Sequence, residues 1–520
     1  MSLNCTSPKQ DIEEPFLPTP PLAAYRVADP SNAQIEDIPA LRVLPEAKSA
    51  RKLEMVRAGA KSKADRELMP AGREYQDVCW AALFILMCIG VAAVAIFYLP
   101  HIKDKVKAGA KQGFTSDSDA DVEIPPLSKI LVGGGVGLGA SLLMAWVYAY
   151  MAKSAAECVV WTSLIFMPII FMAMGLAIAA YAAVFPGLIL FGFGGMLLGC
   201  VFCCYRKLIP FTVVVVRAAA EVLWENPSMI VVSALGTMVA VVWVAICAVA
   251  SAAVAHSGFA QQLEEDDIAF KGISFAIFFV TTWGCMVCST VCHTTYCGVF
   301  GRWYFKKDCA TPLASSLKVA LTTSFGSICF GTMLVAVVRT LEQIARQARR
   351  DAQQAENPAL CIIALIIECV IGCIGDILEY FNEWAYVQCA VRGASFIEAA
   401  KITYSMMTCS NMQYILSDLL INSVVNFGAL LCGLEGAIAG FAAGHAVGGM
   451  QVAIFGAAIG WIAGLMAGGT SVGILGSGTK TILALWAEDP EPLEKTHPDV
   501  HESFDQTLIN KRHEWDPANE

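Results

Sequence analysis

The sequence predicts an all-α, polytopic integral membrane protein with about ten transmembrane helices. Of its 520 residues, 56% are hydrophobic, and the mean hydropathy is +0.59. Only 15% are charged, whereas soluble domains contain about 25%. Long apolar runs also recur along most of the chain. A soluble protein with so few charged side chains would expose a largely apolar surface to water, so we expect lipid to surround this one.

The first 74 residues are predicted to form a disordered cytosolic tail. They are rich in proline, alanine and charge, with four prolines between Pro15 and Pro21. Such a segment buries too little apolar area to offset the entropy lost on ordering. Its second half, from Lys48 to Arg73, is basic, which favours the cytosolic side for the start of the first helix. Because the first apolar run follows this polar segment, we interpret it as a membrane helix and not as a cleaved signal peptide.

Residues 75–486 are predicted to form a ten-helix transmembrane transporter domain. Each apolar run can cross about 30 Å of hydrocarbon, and each must be helical because backbone groups in lipid need partners within the same segment. Pro186 and Gly187 are predicted to form the turn between the third and fourth spans. The predicted spans are Val78–Tyr98, Ile130–Tyr150, Val159–Phe185, Leu188–Cys204, Met229–Ala253, Ile273–Phe300, Val319–Leu341, Leu360–Ile377, Leu419–Ala443 and Val452–Val472.

Three segments outside the spans are assigned to the cytosolic side. Leu208–Trp224 and Phe396–Met407 are amphipathic, and we expect them to form helices on the membrane surface. Residues 487–520 are acidic and contain proline, so they are predicted to form a cytosolic C-terminal tail.

Ten spans place both termini on the same side of the membrane. The loops after spans four and six are basic, with Arg206 and Lys207 in the first and Arg302 and Lys306 in the second. Both loops would be cytosolic, as the positive-inside rule requires. Three arginines at positions 346–350 would lie on the opposite side and contradict the rule. The topology of residues 341–358 therefore stays open.

Two glycine-rich segments resemble nucleotide-binding loops without meeting their requirements. Five glycines between Gly133 and Gly139 open a membrane helix with no preceding strand, so Gly135 and Gly139 fit small-residue helix packing instead. The segment from Gly473 to Thr481 reads GILGSGTKT. It has Thr479 where a phosphate-binding loop requires lysine, so neither segment predicts a nucleotide site.

The sequence predicts no cofactor, no metal and no enzyme activity. Cys285, Cys288 and Cys292 share one face of span six, followed by His293, but a metal site needs about four convergent ligands and no second cluster is present in the sequence. Hydrolase nucleophile elbows and metalloprotease motifs are absent from the sequence. There is no dense basic patch for nucleic acid, and the sequence identifies no protein partner.

Ionisable residues inside the spans point to a ligand path. Such groups are costly in hydrocarbon and usually face a cavity or a charged partner. His293, Glu368, Asp376 and Glu435 all fall inside predicted spans. Span six also carries Trp283, and aromatic faces are the chemistry that holds quaternary ammonium ligands.

Six segments of the sequence, in order along the chain, carry a family resemblance. They are Glu74–Gly90, Glu225–Gly236, His293–Phe305, Ser316–Gly331 (SLKVALTTSFGSICFG), Tyr380–Lys401 (YFNEWAYVQCAVRGASFIEAAK) and Ala484–Val500. These segments resemble the choline transporter-like solute carriers, particularly their fungal and protist branch. The resemblance implies ten spans, cytosolic termini and transport of choline, and we expect a plasma-membrane location. The sequence departs from the family pattern at Glu383, where a basic residue is usual, and at Lys480, where an acidic residue is common.

The expected site lies between spans six and seven, and it would bind choline or a related small cation. Aromatic side chains would supply cation–π attraction, and a carboxylate of span eight would balance the charge. The candidate residues are Trp283, Thr290, His293, Tyr296, Ser324, Phe325 and Ser327, with Glu368 or Asp376 as the counter-charge.

Two alternatives to choline transport stay open from the sequence. One is a non-transporting membrane scaffold or regulator, in which the embedded charges only pair with each other and the middle of the bundle is solidly packed. The other is a carrier of a different amine such as ethanolamine, which would need several hydrogen-bond acceptors around its primary ammonium group.

Overall fold

The computed structural model describes residues 73–112, 127–181, 183–256, 267–306, 311–409 and 412–514. The predicted N-terminal tail, up to residue 72, lies outside these ranges. Within them every regular element is a helix and no strand occurs. Nine of the helices are long and apolar enough to cross a membrane. The prediction of an all-α polytopic membrane protein is confirmed.

Fourteen helices are defined in the described part of the chain. They are α1 Val78–Gln112, α2 Leu127–Ser154, α3 Ala156–Tyr181, α4 Val184–Cys200 (extended by a π turn, Val201–Tyr205), α5 Ile209–Glu225, α6 Ser228–His256, α7 Asp267–Tyr304, α8 Pro312–Leu321, α9 Phe325–Gln354, α10 Pro358–Arg392, α11 Phe396–Cys409, α12 Met412–Glu488, α13 Glu491–Thr496 and α14 Pro498–Glu514.

Helix α12 is a hairpin of two antiparallel limbs. Its backbone leaves helical geometry at Gly448 and Gly449, and Gly449 has a φ of 77°, a conformation that favours glycine. On either side of this turn the limbs touch backbone to backbone, because a Cβ built at Gly440 would lie 2.2 Å from the carbonyl oxygen of Gly456. The two limbs, residues 412–447 and 450–488, correspond to predicted spans nine and ten.

Helix α2 packs its glycine face against this hairpin, in a register that differs from the prediction. A Cβ at Gly137 would lie 2.7 Å from the Gly436 oxygen, and Gly133 approaches Gly456 and Gly440. Nothing lies within 4 Å of a Cβ at Gly135 or Gly139. The small-residue packing is therefore present, but the assignment to Gly135 and Gly139 is wrong, because two residues along a helix turn a side chain by roughly 200°.

Predicted span seven is not one continuous helix. It is interrupted between Leu321 and Phe325, where Thr322 adopts φ −125° and ψ −85°. The chain segment before α1 enters this break, where the Gln76 amide donates to the Thr323 carbonyl oxygen at 3.0 Å. This close approach requires glycine at position 326, since a Cβ there would lie 2.3 Å from the Gln76 and Asp77 oxygens.

The turn between spans three and four also differs from the prediction. Helix α3 ends at Tyr181 and α4 begins at Val184, so Pro186 lies in the first turn of α4 and not in the connection. Proline is tolerated there because the first amides of a helix have no intrahelical acceptor. Gly187 is a packing residue, with a built Cβ 2.3 Å from the Ala179 nitrogen.

Helix α5 confirms the predicted helix at Leu208–Trp224, but it does not lie on the surface. Most of its residues are buried, and α14 packs against it. Helix α14 lies in the segment that was expected to form a C-terminal tail. Phe211 of α5, Trp486 of α12 and Phe504 of α14 form a triangle of rings with centroids 5.4–6.0 Å apart. The C-terminal helices therefore belong to the packed core.

One end of the bundle, which we call the terminal end, gathers both chain ends of the described structure. The Arg73 guanidinium donates to the Ala390 carbonyl oxygen at the end of α10, at 2.7 Å. The Tyr304 hydroxyl at the end of α7 donates to the Asp489 carbonyl oxygen at 2.8 Å. Burial and the nearby Arg302 lower the pKa of Arg73 to about 10. The connections at 355–357 and 448–449 lie at the opposite end.

Candidate functional site

A cavity of about 410 Å³ lies in the middle of the bundle, between α6, α7, α9, α10 and the second limb of α12. Its volume falls within the range of small-molecule sites. Apolar atoms cover most of the wall, and polar groups enter from every surrounding helix. The polar lining residues are Ser233, Thr237, Ser289, Thr290, His293, Tyr296, Thr332, Glu379, Asn382, Glu383, Tyr386, Thr470 and Ser477.

Three predicted site residues, Thr290, His293 and Tyr296, lie in this wall on successive turns of α7. Both ring nitrogens of His293 are engaged. Nε2 donates to the Glu383 carbonyl oxygen at 3.0 Å, and Nδ1 is 2.8 Å from the Ser477 hydroxyl. His293 thus joins α7 to α10 and α12 and holds its ring in a fixed orientation.

Four polar atoms of the lining residues are buried without a hydrogen-bond partner among the described residues. They are Ser233 Oγ, Tyr296 Oη, Asn382 Oδ1 and Tyr386 Oη. A buried polar atom without a partner is unfavourable by about 1–3 kcal/mol. Because these atoms are buried, a ligand or water in the cavity can reach them only when the neighbouring side chains shift.

Two carboxylates of α10, Glu379 and Glu383, line the same cavity. Their side chains are 45% and 41% exposed, so both can be reached from it. Arg339 of α9 binds Glu379 at 2.7 Å and Lys480 of α12 binds Glu383 at 3.1 Å. The wall on this side presents negative charge with a basic partner behind each carboxylate.

A third carboxylate, Asp418 of α12, lies behind Lys480. Its nearer oxygen is 3.7 Å from the Lys480 ammonium, and the residue is fully buried. The ammonium also donates to Asn422 Oδ1 at 3.2 Å. Lys480 thus lies between a carboxylate that faces the cavity and one that does not, on the terminal-end side of the cavity.

The other predicted residues of spans six and seven lie outside the cavity lining. The Trp283 indole donates to the Cys329 carbonyl oxygen at 3.1 Å and packs edge-on against Phe84, at 5.2 Å between centroids. Ser324, Phe325 and Ser327 lie at the break before α9, where the Ser327 hydroxyl donates to Asp77 at 2.7 Å. Trp283, Phe325 and Ser327 therefore fasten α7 and α9 to the start of α1, whereas the Ser324 hydroxyl donates to the Cys389 carbonyl oxygen of α10 at 3.4 Å.

The two predicted counter-charges are paired with arginines of α9. Glu368 binds Arg346 at 3.0 Å and Arg349 at 2.6 Å. Asp376 binds Arg339 at 2.6 Å and is 72% exposed. Neither lines the cavity. Because Arg346 and Arg349 are neutralised between α9 and α10, these two arginines weigh less in the positive-inside rule than free charges would.

The cysteines of α7 also reach the cavity, since Cys285 and Cys292 are lining residues. Among the described residues, no group of three or more His, Cys, Asp and Glu side chains could hold a metal ion.

Comparison of the sequence with known proteins identifies the family of this chain. A family model described as plasma-membrane choline transporter matches residues 188–491, which include every helix that lines the cavity. The chain belongs to the plasma-membrane choline transporter family.

Three proteins of similar sequence illustrate the relationship. Protein PNS1 of Yarrowia lipolytica is 26% identical over 344 residues, which are 61% of this chain and 58% of that protein. A CTL-like protein of Dictyostelium discoideum is 26% identical over 388 residues, 71% of this chain and 64% of that protein. Protein PNS1 of Eremothecium gossypii is 32% identical over 255 residues, 45% of this chain and 46% of that protein. The matched part of each is thus about half to two-thirds of its length.

For this member of the plasma-membrane choline transporter family, sequence reasoning missed three acidic residues of the site region. Glu379 and Glu383 fall just after predicted span eight, which ended at Ile377, whereas α10 continues to Arg392. Asp418 precedes predicted span nine by one residue. The signal was present for Glu383 and Lys480, because their departures from the family pattern have opposite charge and fall on residues 3.1 Å apart.

Proposed function

We propose that this protein transports choline or a similar small organic cation through the central cavity. The supporting observation is the combination, in one cavity of about 410 Å³, of two reachable carboxylates, aromatic side chains and hydroxyl-bearing side chains. Transport of a choline-type substrate is also what membership of the family indicates.

The electrostatics of the wall favour a cation over an anion or a neutral solute. Glu379 and Glu383 supply negative charge, and the rings of Tyr296 and Tyr386 offer faces that attract an ammonium group. A quaternary ammonium has no N–H to donate, so aromatic faces and a nearby carboxylate are the contacts available to it. The hydroxyl groups of Ser289 and Thr290, which line the cavity and are not fully buried, can bind the hydroxyl of choline.

A cavity of this volume, lined by polar side chains from every surrounding helix, favours a carrier over a solidly packed scaffold. The hydroxyl groups in its wall are acceptors that a primary ammonium could use. Ethanolamine is therefore the competitor that the assay must include.

We further propose that the protein lies in the plasma membrane with its terminal end facing the cytosol. In this structure the path from the cavity to the terminal end is closed. Arg73 and Asp77 bind the ends of α9–α11 there, and Arg392 forms an ion pair with Glu488. Substrate leaving toward the cytosol would have to separate these contacts. The basic residues Arg206 and Arg302, which the positive-inside rule assigns to the cytosol, support this orientation.

The direct test is uptake of radiolabelled choline into proteoliposomes that contain the purified protein. We expect saturable uptake that an excess of unlabelled choline abolishes and that ethanolamine inhibits more weakly. Uptake equal to that of empty vesicles would refute choline transport, and stronger inhibition by ethanolamine would reassign the substrate.

Glu379→Gln gives a site-directed test with a matched control. Glu379 and Asp376 both bind Arg339, but only Glu379 lines the cavity. A unit charge about 6 Å from the substrate contributes on the order of 2–3 kcal/mol at an effective dielectric constant near 20, and exposure and the Arg339 partner reduce this. We therefore expect Glu379→Gln to raise the KM for choline about tenfold, and Asp376→Asn to leave it unchanged. Equal effects would remove Glu379 from the site.

A further inference from the structure

Lys480 is held between two carboxylates at unequal distances. Its ammonium is 3.1 Å from Glu383, a hydrogen-bonded ion pair, and 3.7 Å from Asp418, beyond ordinary hydrogen-bond length. The lysine side chain is 5% exposed. A lysine so deeply buried needs a paired carboxylate, yet here it has two.

Asp418 is the less satisfied of the two carboxylates. Neither of its oxygens has a hydrogen-bond partner among the described residues. The Tyr380 hydroxyl and the Trp384 indole N–H face it as donors, but neither makes a hydrogen bond of ordinary geometry. A fully buried carboxylate with no short hydrogen bond and an ammonium 3.7 Å away is a position that this cation can approach more closely.

Glu383 has the opposite environment. Its carboxylate is reachable from the cavity, where the proposed substrate cation would lie, while Lys480 approaches it from behind the wall. A substrate ammonium and the lysine ammonium would then compete for one carboxylate, because two cations on the same carboxylate repel each other strongly at low dielectric.

We propose that Lys480 is a tethered cation that neutralises Glu383 while the cavity is empty and moves toward Asp418 when an organic cation binds. This inference rests on the proposed function, because it takes the substrate to be a cation. Asn422 lies one helical turn from Asp418 and accepts from the lysine, so the ammonium can keep one partner during the movement.

The charge balance of the triad agrees with this role. Glu383, Asp418 and Lys480 together carry one negative charge when all are ionised, which one monovalent organic cation would neutralise. Return of Lys480 to Glu383 would then weaken the hold on the substrate and assist its release. The competing interpretation is that Lys480 only positions the Glu383 carboxylate, and it predicts the opposite effect on affinity.

The experiment measures equilibrium binding of radiolabelled choline, with tetramethylammonium and ethanolamine as competitors, to the full-length protein in nanodiscs. The variants are Lys480→Met, Asp418→Asn and the double variant. Lys318→Met is the control, since this lysine is exposed on α8. Initial uptake rates in proteoliposomes separate affinity from turnover.

We expect Lys480→Met to bind choline about tenfold more tightly and to transport it with a lower maximal rate, because release slows. Asp418→Asn should bind about tenfold more weakly, since Lys480 then has no second carboxylate. The double variant should bind as tightly as Lys480→Met. Lys318→Met should match the unaltered protein.

Unchanged or weaker binding by Lys480→Met would overturn the inference, as would a defect of Asp418→Asn that persists in the double variant. If Lys480→Met does not give monodisperse protein, Asp418→Asn decides alone, and unchanged or tighter binding overturns the proposal. Binding of none of the three cations to the unaltered protein would instead refute the proposed function, and the inference with it.

Discussion

Replacement of Gly436 by alanine tests the packing of the α12 hairpin against α2. Gly436 lies where the two limbs of α12 and helix α2 meet. A Cβ at this position would lie 2.3 Å from the Gly460 carbonyl oxygen and 2.4 Å from Ser141 Oγ. The first obstacle is backbone, so it cannot rotate away.

The expected destabilisation can be worked out from these contacts. Relief of a 2.3 Å contact requires the limbs to separate by about 1 Å, and overpacking of this kind costs about 1–3 kcal/mol. Ser141 would also have to turn away from the Cys432 carbonyl oxygen, to which it donates at 2.8 Å, a loss of about 1 kcal/mol. The higher helix propensity of alanine stabilises the folded state by about 1 kcal/mol. The net loss in free energy of unfolding is about 1–3 kcal/mol.

The assay is thermal unfolding of the detergent-solubilised protein, followed by tryptophan fluorescence. Gly139→Ala is the matched control, because nothing lies within 4 Å of its built Cβ. We expect Gly436→Ala to unfold several degrees below the unaltered protein and Gly139→Ala to unfold at the same temperature or slightly above. Equal midpoints for the two variants would refute the described packing of the two α12 limbs and α2 around Gly436.

Three further substitutions distinguish residues that stabilise the fold from residues that bind substrate in the cavity. Trp283→Ala should lower the free energy of unfolding by about 3–5 kcal/mol, because the contact with Phe84 is lost. The affinity of the folded protein for choline should not change. Weaker choline binding would show that Trp283 belongs to the binding site. Asp77→Asn should destabilise by about 1–3 kcal/mol, since the carboxylate accepts from the Phe396 amide at 2.8 Å, and faster hydrogen exchange at that amide is the check. Glu368→Gln should leave the KM for choline unchanged in proteoliposome uptake, and a raised KM would contradict its assignment to the pairing between α9 and α10.

The spans were predictable because lipid imposes a simple requirement on each of them. A segment in hydrocarbon must be apolar and helical, and this condition can be read from the sequence without knowledge of neighbouring segments. The predictions failed where a neighbour decides the outcome. The break before α9 depends on Gln76 and Asp77, which are more than two hundred residues away in sequence, and hydropathy averaged along the chain cannot register it.

The candidate site was predictable in part for the same reason. Helical spacing along α7 brought Thr290, His293 and Tyr296 to one wall, because neighbours on one helix share a face at intervals of three and four. Trp283 lies farther along α7, where its indole meets Phe84 of α1 instead. Which carboxylates reach the cavity depends on how α10 packs, and the sequence alone does not contain that information.

The aromatic triangle at the end of the chain has a practical consequence for handling the protein. The acidic segment after Trp486 contains Phe504, whose ring is buried against Phe211 and Trp486. Truncation before Phe504 would expose these two rings to solvent. Purification handles and fluorescent fusions are better appended beyond the final helix than substituted for it. Loss of activity in a truncated protein would therefore indicate a folding defect before it indicated loss of a regulatory segment.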